Sequence, residues 1–163
     1  AIKINPNDAY AYNSRGNVRS ELGDKQGAID DFNQAIKINP NFAHAYYFRG
    51  NVRSELGDKQ GAIDDYTQAI KINPNFAQAY YGRGIVRNKL GDRQGAIDDY
   101  NQAIKINPNF AYAYHERGNV KSALGDKQVA IADLQQAVKL YQQQGGNEYW
   151  LRIAQDRIRE LQQ

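Results

Sequence analysis

The chain has 163 residues, of which 41% are apolar and 24% are charged, a composition typical of a folded, soluble protein. Its 21 basic and 18 acidic residues are interleaved, and the net charge of +3 is too small to indicate a nucleic-acid partner. The absence of cysteine excludes disulfides and thiolate chemistry, and no apolar run approaches the roughly 20 residues that span a bilayer. We expect a soluble protein without a membrane partner, cytoplasmic rather than secreted, although the composition leaves the redox compartment open.

The chain is built from copies of one unit, which is clearest in residues 43–76 and recurs with a period of 34 residues. The segments 9–42, 77–110 and 111–144 align with this unit. Self-similarity at a short fixed period indicates a solenoid, in which neighbouring units share a continuous core. Residues 1–8 match the end of a unit, so we expect them to be the remnant of a preceding repeat and the chain to be part of a longer array.

Each unit has signals for two helices. In the first unit, an initial helix is predicted from Ala9 to about residue 22, where Gly23 supplies the left-handed residue that favours a helix end. Asp24 is placed to cap a second helix, which runs to about residue 38. Pro40 then forces a stop, because the residue before a proline is pushed out of helical geometry. The unit is therefore predicted to be a helical hairpin.

The end of the chain departs from this pattern of residues at the helix ends. In the fourth unit Gln142 replaces the proline, so the second helix is expected to continue into Gln143. Residues 145–163 then contain apolar side chains at helical spacing, with Asn147 as the expected N-cap. Because a solenoid needs its last apolar face covered, we interpret this segment as a capping helix.

The unit resembles the tetratricopeptide repeat (TPR), whose pattern places small and aromatic residues and a proline at fixed offsets. In the second unit these positions are held by Tyr46, Gly50, Ala62, Tyr66 and Pro74, and the fourth unit has Leu134 in place of the second-helix aromatic. The resemblance implies an all-α protein, a right-handed α-α solenoid (superhelix) of helix-turn-helix hairpins.

Two basic columns depart from the TPR pattern, on the helix face that should be buried. They consist of Arg15, Arg49, Arg83 and Arg117, and of Arg19, Arg53, Arg87 and Lys121. An acidic column lies at the edge of the inward face of the second helices: Asp31, Asp65, Asp99 and Asp133. Since buried guanidinium groups are costly unless paired, we predict a structural ladder of arginine–aspartate ion pairs within or between units. The alternative is a basic groove.

The resemblance also implies that the first helices line a concave groove that binds a peptide or protein segment. The side chains predicted to face it are Tyr10, Asn13, Asn17, Glu21, His44, Tyr47, Asn51, Glu55, Gln78, Tyr81, Asn88, Lys89, Tyr112, His115 and Asn119. Tyrosine provides contact area at low entropic cost, and asparagine both donates and accepts. Some TPR groups hold the terminal carboxylate of a partner with lysine, arginine and asparagine side chains. Such a carboxylate clamp is not expected here, since Lys89 is the only charged donor on the predicted face, and Glu21 and Glu55 favour a neutral or basic segment. Alternatively, these side chains form an inert solvated face.

We expect no enzyme, no cofactor and no metal site. His44 and His115 lie two repeats apart, roughly 20 Å if each helix layer adds about 9 Å, so they cannot share a metal or a proton. No glycine-rich phosphate loop follows a strand, and no catalytic triad can be assembled.

Two binding alternatives remain besides the protein scaffold. An RNA-binding helical repeat needs a phosphate-facing basic groove, and most arginines are predicted to point inward, so a nucleic-acid partner is not expected. An architectural spacer is the other alternative, because Ile2 and Ile4 predict an apolar edge at the N-terminal remnant that end-to-end self-association would cover.

Overall fold

The computed structural model describes residues 7–163, and the predictions for Ile2, Ile4 and most of the N-terminal remnant lie outside this range. Its described part contains nine α-helices and no strand, which confirms the predicted all-α class. The helices are α1 (Ala9–Glu21), α2 (Lys25–Ile38), α3 (Ala43–Glu55), α4 (Lys59–Ile72), α5 (Ala77–Lys89), α6 (Arg93–Ile106), α7 (Ala111–Ala123), α8 (Lys127–Gln144) and α9 (Glu148–Gln162). The helices form two compact units, each larger than a single repeat. From here on, the first unit is the part of the chain up to Val86 and the second unit is the part from Arg87 onward.

Local signals set the helix ends where the sequence predicts them. Gly23 follows the end of α1 and has a φ of 89°, a backbone conformation that residues with a Cβ rarely adopt. The Asp24 carboxylate accepts a hydrogen bond from the backbone N–H of Gly27 at 2.9 Å, which satisfies one free donor at the start of α2. The same cap recurs at the starts of α4, α6 and α8.

The core of the first unit alternates small and aromatic residues. Phe32 of α2 packs so closely on α1 that a Cβ at Gly16 would lie 2.8 Å from its ring. The same ring, with Ala28, contacts Val52 of α3, the first helix of the next repeat. Tyr66 has the same role one repeat later, where it packs on Gly50 and contacts Val86. An aromatic residue therefore joins the two helices of its hairpin and also joins that hairpin to the next.

The second unit ends in a longer helix and an additional one. With Gln142 in place of the proline, α8 continues to Gln144, one residue beyond the predicted extension. Helix α9 packs against α8, where Ala154 is fully buried in a cluster with Leu140 and Tyr141. Asn147 is the N-cap residue of α9, as predicted, but its side chain makes no capping hydrogen bond. Its amide instead accepts from the Tyr112 hydroxyl at 2.8 Å and donates to the Gly145 carbonyl.

Candidate functional site

Arginine–aspartate pairs join the two helices of each hairpin. In the second repeat, Arg49 donates twice to the buried Asp65, from Nε at 2.9 Å and from Nη2 at 2.6 Å. Arg53 donates to the same carboxylate at 3.0 Å. A buried carboxylate is stable only when such partners replace water. The predicted pairing is therefore present within this repeat.

The other repeats contain related pairs. Arg15 donates to Asp31 at 2.7 and 2.5 Å, and this hydrogen bond raises the pKa of Arg15. Further contacts of the two basic columns are Arg19–Asp31 at 3.3 Å, Arg87–Asp99 at 3.0 Å, Arg117–Asp133 at 2.6 Å and Lys121–Asp133 at 3.8 Å. These basic side chains are engaged in repeat packing, which argues against the alternative of a free basic groove.

The first arginine column also links successive repeats. Arg49 donates from Nη1 to Asn33 of the preceding repeat at 2.6 Å, and Arg83 donates to Thr67 at 3.0 Å. Arg117 makes the equivalent bond to Asn101 at 2.7 Å. Each guanidinium in this column also lies over the tyrosine three residues earlier, 5.3 to 5.6 Å from the ring centroid. The ladder thus has a component between repeats as well as within them.

Most side chains predicted to form a binding surface in the first unit are accessible. Those that are exposed or half-exposed are Tyr10, Asn17, Glu21, His44, Tyr47, Asn51, Glu55, Gln78 and Tyr81. Asn13 is the exception: it is buried, and within the described part of the chain its Oδ1 has no hydrogen-bond partner. The prediction that Asn13 is exposed is wrong. Asn13 stands at the position of Tyr47 and Tyr81 in the next two repeats, and its shorter side chain does not reach the surface.

A pocket of about 280 Å³ opens between α1 and α3 in the first unit. Its floor is apolar and consists of Phe32, Phe48 and Val52. The two phenyl rings are stacked, with centroids 6.2 Å apart and an angle of 16° between their planes. The rim is polar and consists of Asn17, Ser20, Glu21, Asn51 and Glu55. The structure therefore brings four predicted surface residues, Asn17, Glu21, Asn51 and Glu55, to one cavity.

The pocket floor was missed by the sequence prediction. Phe32 is assigned to the core by the repeat pattern, and its ring also borders the cavity. Phe48 stands where the other repeats have Ser14, Gly82 and Glu116, so a large aromatic residue at this position is specific to the second repeat. This change of residue type within a repeat column was the available signal.

Hydrogen bonds and ion pairs hold the rim in place. Burial raises the pKa of Tyr66, so its hydroxyl stays protonated and donates to Asn51 Oδ1 at 2.7 Å. Lys25 forms an ion pair with Glu55 and donates to Ser20 Oγ at 3.1 Å. Both charged residues that line the pocket are glutamates, so its mouth is acidic.

In the second unit, the predicted surface is partly covered by α9. His115 is buried, with Nδ1 3.3 Å from the Tyr141 hydroxyl and its ring 5.7 Å from that of Trp150. Burial lowers the pKa of His115, which favours its neutral form. The prediction that His115 is available for binding is therefore wrong, and Tyr112 is half-buried against Trp150 as well.

The remaining predicted residues of the second unit stay accessible. Asn88 and Asn119 are half-exposed, and Lys89 is exposed. Beside Asn119, burial raises the pKa of Glu116. Within residues 7–163, no helix is long and apolar enough to cross a membrane, and no group of three or more His, Cys, Asp or Glu residues is placed to hold a metal ion.

Helical hairpins that recur every 34 residues and pack on their neighbours define the class of helical-repeat proteins. Family models place the chain within this class. A model described as tetratricopeptide repeat matches residues 9–42 and 77–110, and another with the same description matches residues 111–144. A model described as TPR repeat matches residues 50–91. The chain belongs to the tetratricopeptide repeat family and has an all-α helical repeat fold of the solenoid class.

Solved structures agree with this assignment. A crystal structure of MamA is 28% identical, with a TM-score of 0.80, and the match covers 86% of this chain and 82% of that one. YrrB, described as a TPR protein with an unusual peptide-binding site, is 22% identical, with a TM-score of 0.73 and coverage of 97% and 88%. The first TPR of Spaghetti (RPAP3), bound to an HSP90 peptide, is 24% identical, with a TM-score of 0.71 and coverage of 77% and 99%. A search of curated protein sequences gives no significant match.

Proposed function

We propose that the chain is an interaction scaffold whose first unit binds an extended segment of a partner protein across α1 and α3. The observation that carries this proposal is the pocket between these helices, with its stacked phenyl floor and its rim of amides and carboxylates. Peptide-binding sites commonly combine an apolar anchor pocket with side chains that hydrogen-bond the backbone of the peptide. Asn17 and Asn51 on the rim have this second capacity.

Exposed aromatic and amide side chains continue along α1, α3 and α5. Tyr10 is 70% exposed, His44 and Gln78 occupy the equivalent positions of the next two repeats, and both are exposed. Large side chains with few rotatable bonds are well suited to contact a partner at low entropic cost. YrrB and the RPAP3 repeat, which share the fold, are described with a peptide-binding site and a bound peptide, and this gives the proposal a precedent in the family.

A selection from a randomised peptide library, displayed on phage, tests this proposal. We expect enriched peptides to lose at least about tenfold in affinity on Phe48→Ser, which removes part of the pocket floor and introduces the residue type found at Ser14. The matched control is Val18→Ser, which removes exposed apolar surface from α1 outside the pocket. Thermal unfolding of both variants checks that they remain folded. The proposal fails if no peptide is enriched, or if Phe48→Ser and Val18→Ser bind the enriched peptides equally well.

An exposed apolar edge supports a second candidate, a self-associating spacer. On α1, Val18 is 53% exposed and Leu22, which follows the helix, is 81% exposed. Covering this edge with another copy would bury Val18 in the way that α2 buries Val52, whereas Leu56, the counterpart of Leu22, stays 54% exposed. Sedimentation velocity over a concentration series tests the spacer. We expect a concentration-dependent dimer that Val18→Glu abolishes, and a monomer at all concentrations would contradict the idea.

A further inference from the structure

We infer that the pocket of the first unit receives one lysine or arginine side chain of the bound segment. The aliphatic stem lies on the accessible part of the Phe48 ring, which stacks on the fully buried Phe32, and the cationic group lies between the carboxylates of Glu21 and Glu55. This inference rests on the proposed function and specifies the chemistry of the partner: a segment with a basic anchor residue.

The size of the pocket suits a single side chain. Its volume is about 280 Å³, just below the roughly 300–1,000 Å³ of sites for drug-sized molecules. It lies between the first helices of two successive repeats, where a segment crossing α1 and α3 would place one residue over it. One residue of the partner can therefore fill the pocket while its backbone stays at the rim.

The floor favours a long chain of methylene groups. Phe32 is fully buried and packs on Gly16, so its ring is held in place, and the Phe48 ring stacks with it at 6.2 Å. Lysine and arginine commonly bury their stems against apolar surface while the charged group stays in water. A cation within about 6 Å of a phenyl ring is also attracted to the negative face of that ring. An acidic side chain would gain neither contribution.

The net charge at the rim of the pocket is negative and favours the binding of one additional cation. Glu21 and Glu55 are both exposed at the mouth of the pocket, and Lys25 pairs with Glu55. Two carboxylates and one ammonium leave a net charge of about −1, which a single incoming cation neutralises. The contacts of Lys25 with Glu55 and with Ser20 show that an ammonium group is already accommodated at this rim.

This combination of floor and rim is confined to the first two repeats. The residues aligned with Glu21 are Glu55, Lys89 and Ala123, so only the first two repeats carry neighbouring carboxylates in this column. The position of Phe48 is glycine in the third repeat, where the backbone at Gly82 approaches the Tyr66 ring instead. Among the repeats that the structure describes, a basic anchor residue therefore has one matching site.

Nuclear magnetic resonance with short synthetic peptides tests the inference. The probes are acetylated Gly-Ser-Gly-X-Gly-Ser-Gly amides in which X is lysine, arginine, norleucine or glutamate. We expect the lysine and arginine peptides to shift the backbone amide signals of Glu21, Phe48, Asn51 and Glu55 with millimolar dissociation constants. The norleucine peptide should bind at least about tenfold more weakly, because it keeps the stem and lacks the charge.

A charge-matched pair of double variants assigns the effect to the rim. Glu21→Gln with Glu55→Gln should abolish the preference for lysine over norleucine. Asp30→Asn with Asp64→Asn removes the same charge from exposed positions on α2 and α4 and should leave the preference intact. Raising NaCl from about 20 to about 500 mM should weaken the lysine and arginine peptides and leave the norleucine peptide unchanged, since exposed charges are screened at high salt.

Three outcomes would overturn the inference: no shift with lysine or arginine, shifts that map outside the pocket, or a lysine preference that survives Glu21→Gln with Glu55→Gln. Phage-selected peptides distinguish this failure from that of the proposed function. If selected peptides depend on Phe48 but contain no recurring basic residue, the scaffold proposal stands and the basic anchor is wrong. If selected peptides are insensitive to Phe48→Ser, the scaffold proposal itself fails.

Discussion

Residues 16–31 and 50–65 have identical sequences and different surroundings. Val18 in the first copy is 53% exposed, whereas Val52 in the second copy is 1% exposed. Just before these segments, the Arg15 side chain is 42% exposed and that of Arg49 is 14% exposed. The helices themselves begin and end at equivalent residues in the two copies.

The difference comes from the neighbouring repeat. Val52 packs against Ala28 and Phe32 of α2, and Arg49 donates to Asn33 of the same helix. Within the described residues, no helix of a preceding repeat packs against α1 in the way that α2 packs against α3. The stability of such an array is a sum of terms within repeats and terms between adjacent repeats. Matched substitutions in the two copies separate these terms.

The largest expected effect is on the ion pairs within a repeat. Asp65→Ala leaves Arg49 and Arg53 without their buried carboxylate and should lower the free energy of unfolding by roughly 3 kcal/mol. Asp31→Ala should cost less, because the more exposed Arg15 regains water more easily. Urea denaturation measures both. The exposed Asp64→Ala is the control, with an expected change within about 0.5 kcal/mol. Equal costs at Asp31 and Asp65 would show that the exposure of the arginine is irrelevant.

The contrast between the two valines is the next largest. Val52→Ala removes two buried methyl groups from the interface between repeats and should lower the free energy of unfolding by about 2 kcal/mol. Val18→Ala, the same change in the same local sequence, should alter it by less than about 0.5 kcal/mol. Urea denaturation at one protein concentration compares them directly. A large loss at Val18 would mean that the edge of α1 is covered in solution.

A smaller effect should depend on pH, through the buried His115. The pKa of buried His115 is lowered below its ordinary value of 6.5, so the unfolded chain binds more protons than the folded chain just below that pH. The free energy of unfolding should therefore fall as the pH drops below about 6.5. His115→Gln should remove part of this fall, and His44→Gln at the exposed position should leave it unchanged. Denaturation at pH 7 and pH 5 measures the difference, and equal pH dependence in both variants would exclude His115 as its source.

Much of the fold was predictable because its signals are local. Gly23, Asp24 and Pro40 recur in related form along the chain, and the helix ends follow them. The ion pairs were predictable for a related reason. Arginines on the inward face of a helix require a carboxylate nearby, and Asp31 and its equivalents supply one at a constant spacing.

The candidate site was only partly predictable. Helical periodicity places Asn13 and His115 on the same face as Tyr47, but their side chains are buried. Periodicity gives the direction of a side chain and contains no information about its length or about a later helix that covers it. The pocket was missed because Phe48 becomes part of its floor only when α2 and α3 pack together.

The all-α repeat architecture, the helix ends and the pairing of arginine with aspartate all follow from the amino-acid sequence alone. These features depend on residues near in the chain or at a constant spacing. Tertiary structure determined which copies of an identical segment are buried, where the pocket opens and how α9 covers His115. The physical reason is that capping hydrogen bonds form within a few residues, whereas removing a side chain from water requires neighbours that the local sequence does not contain.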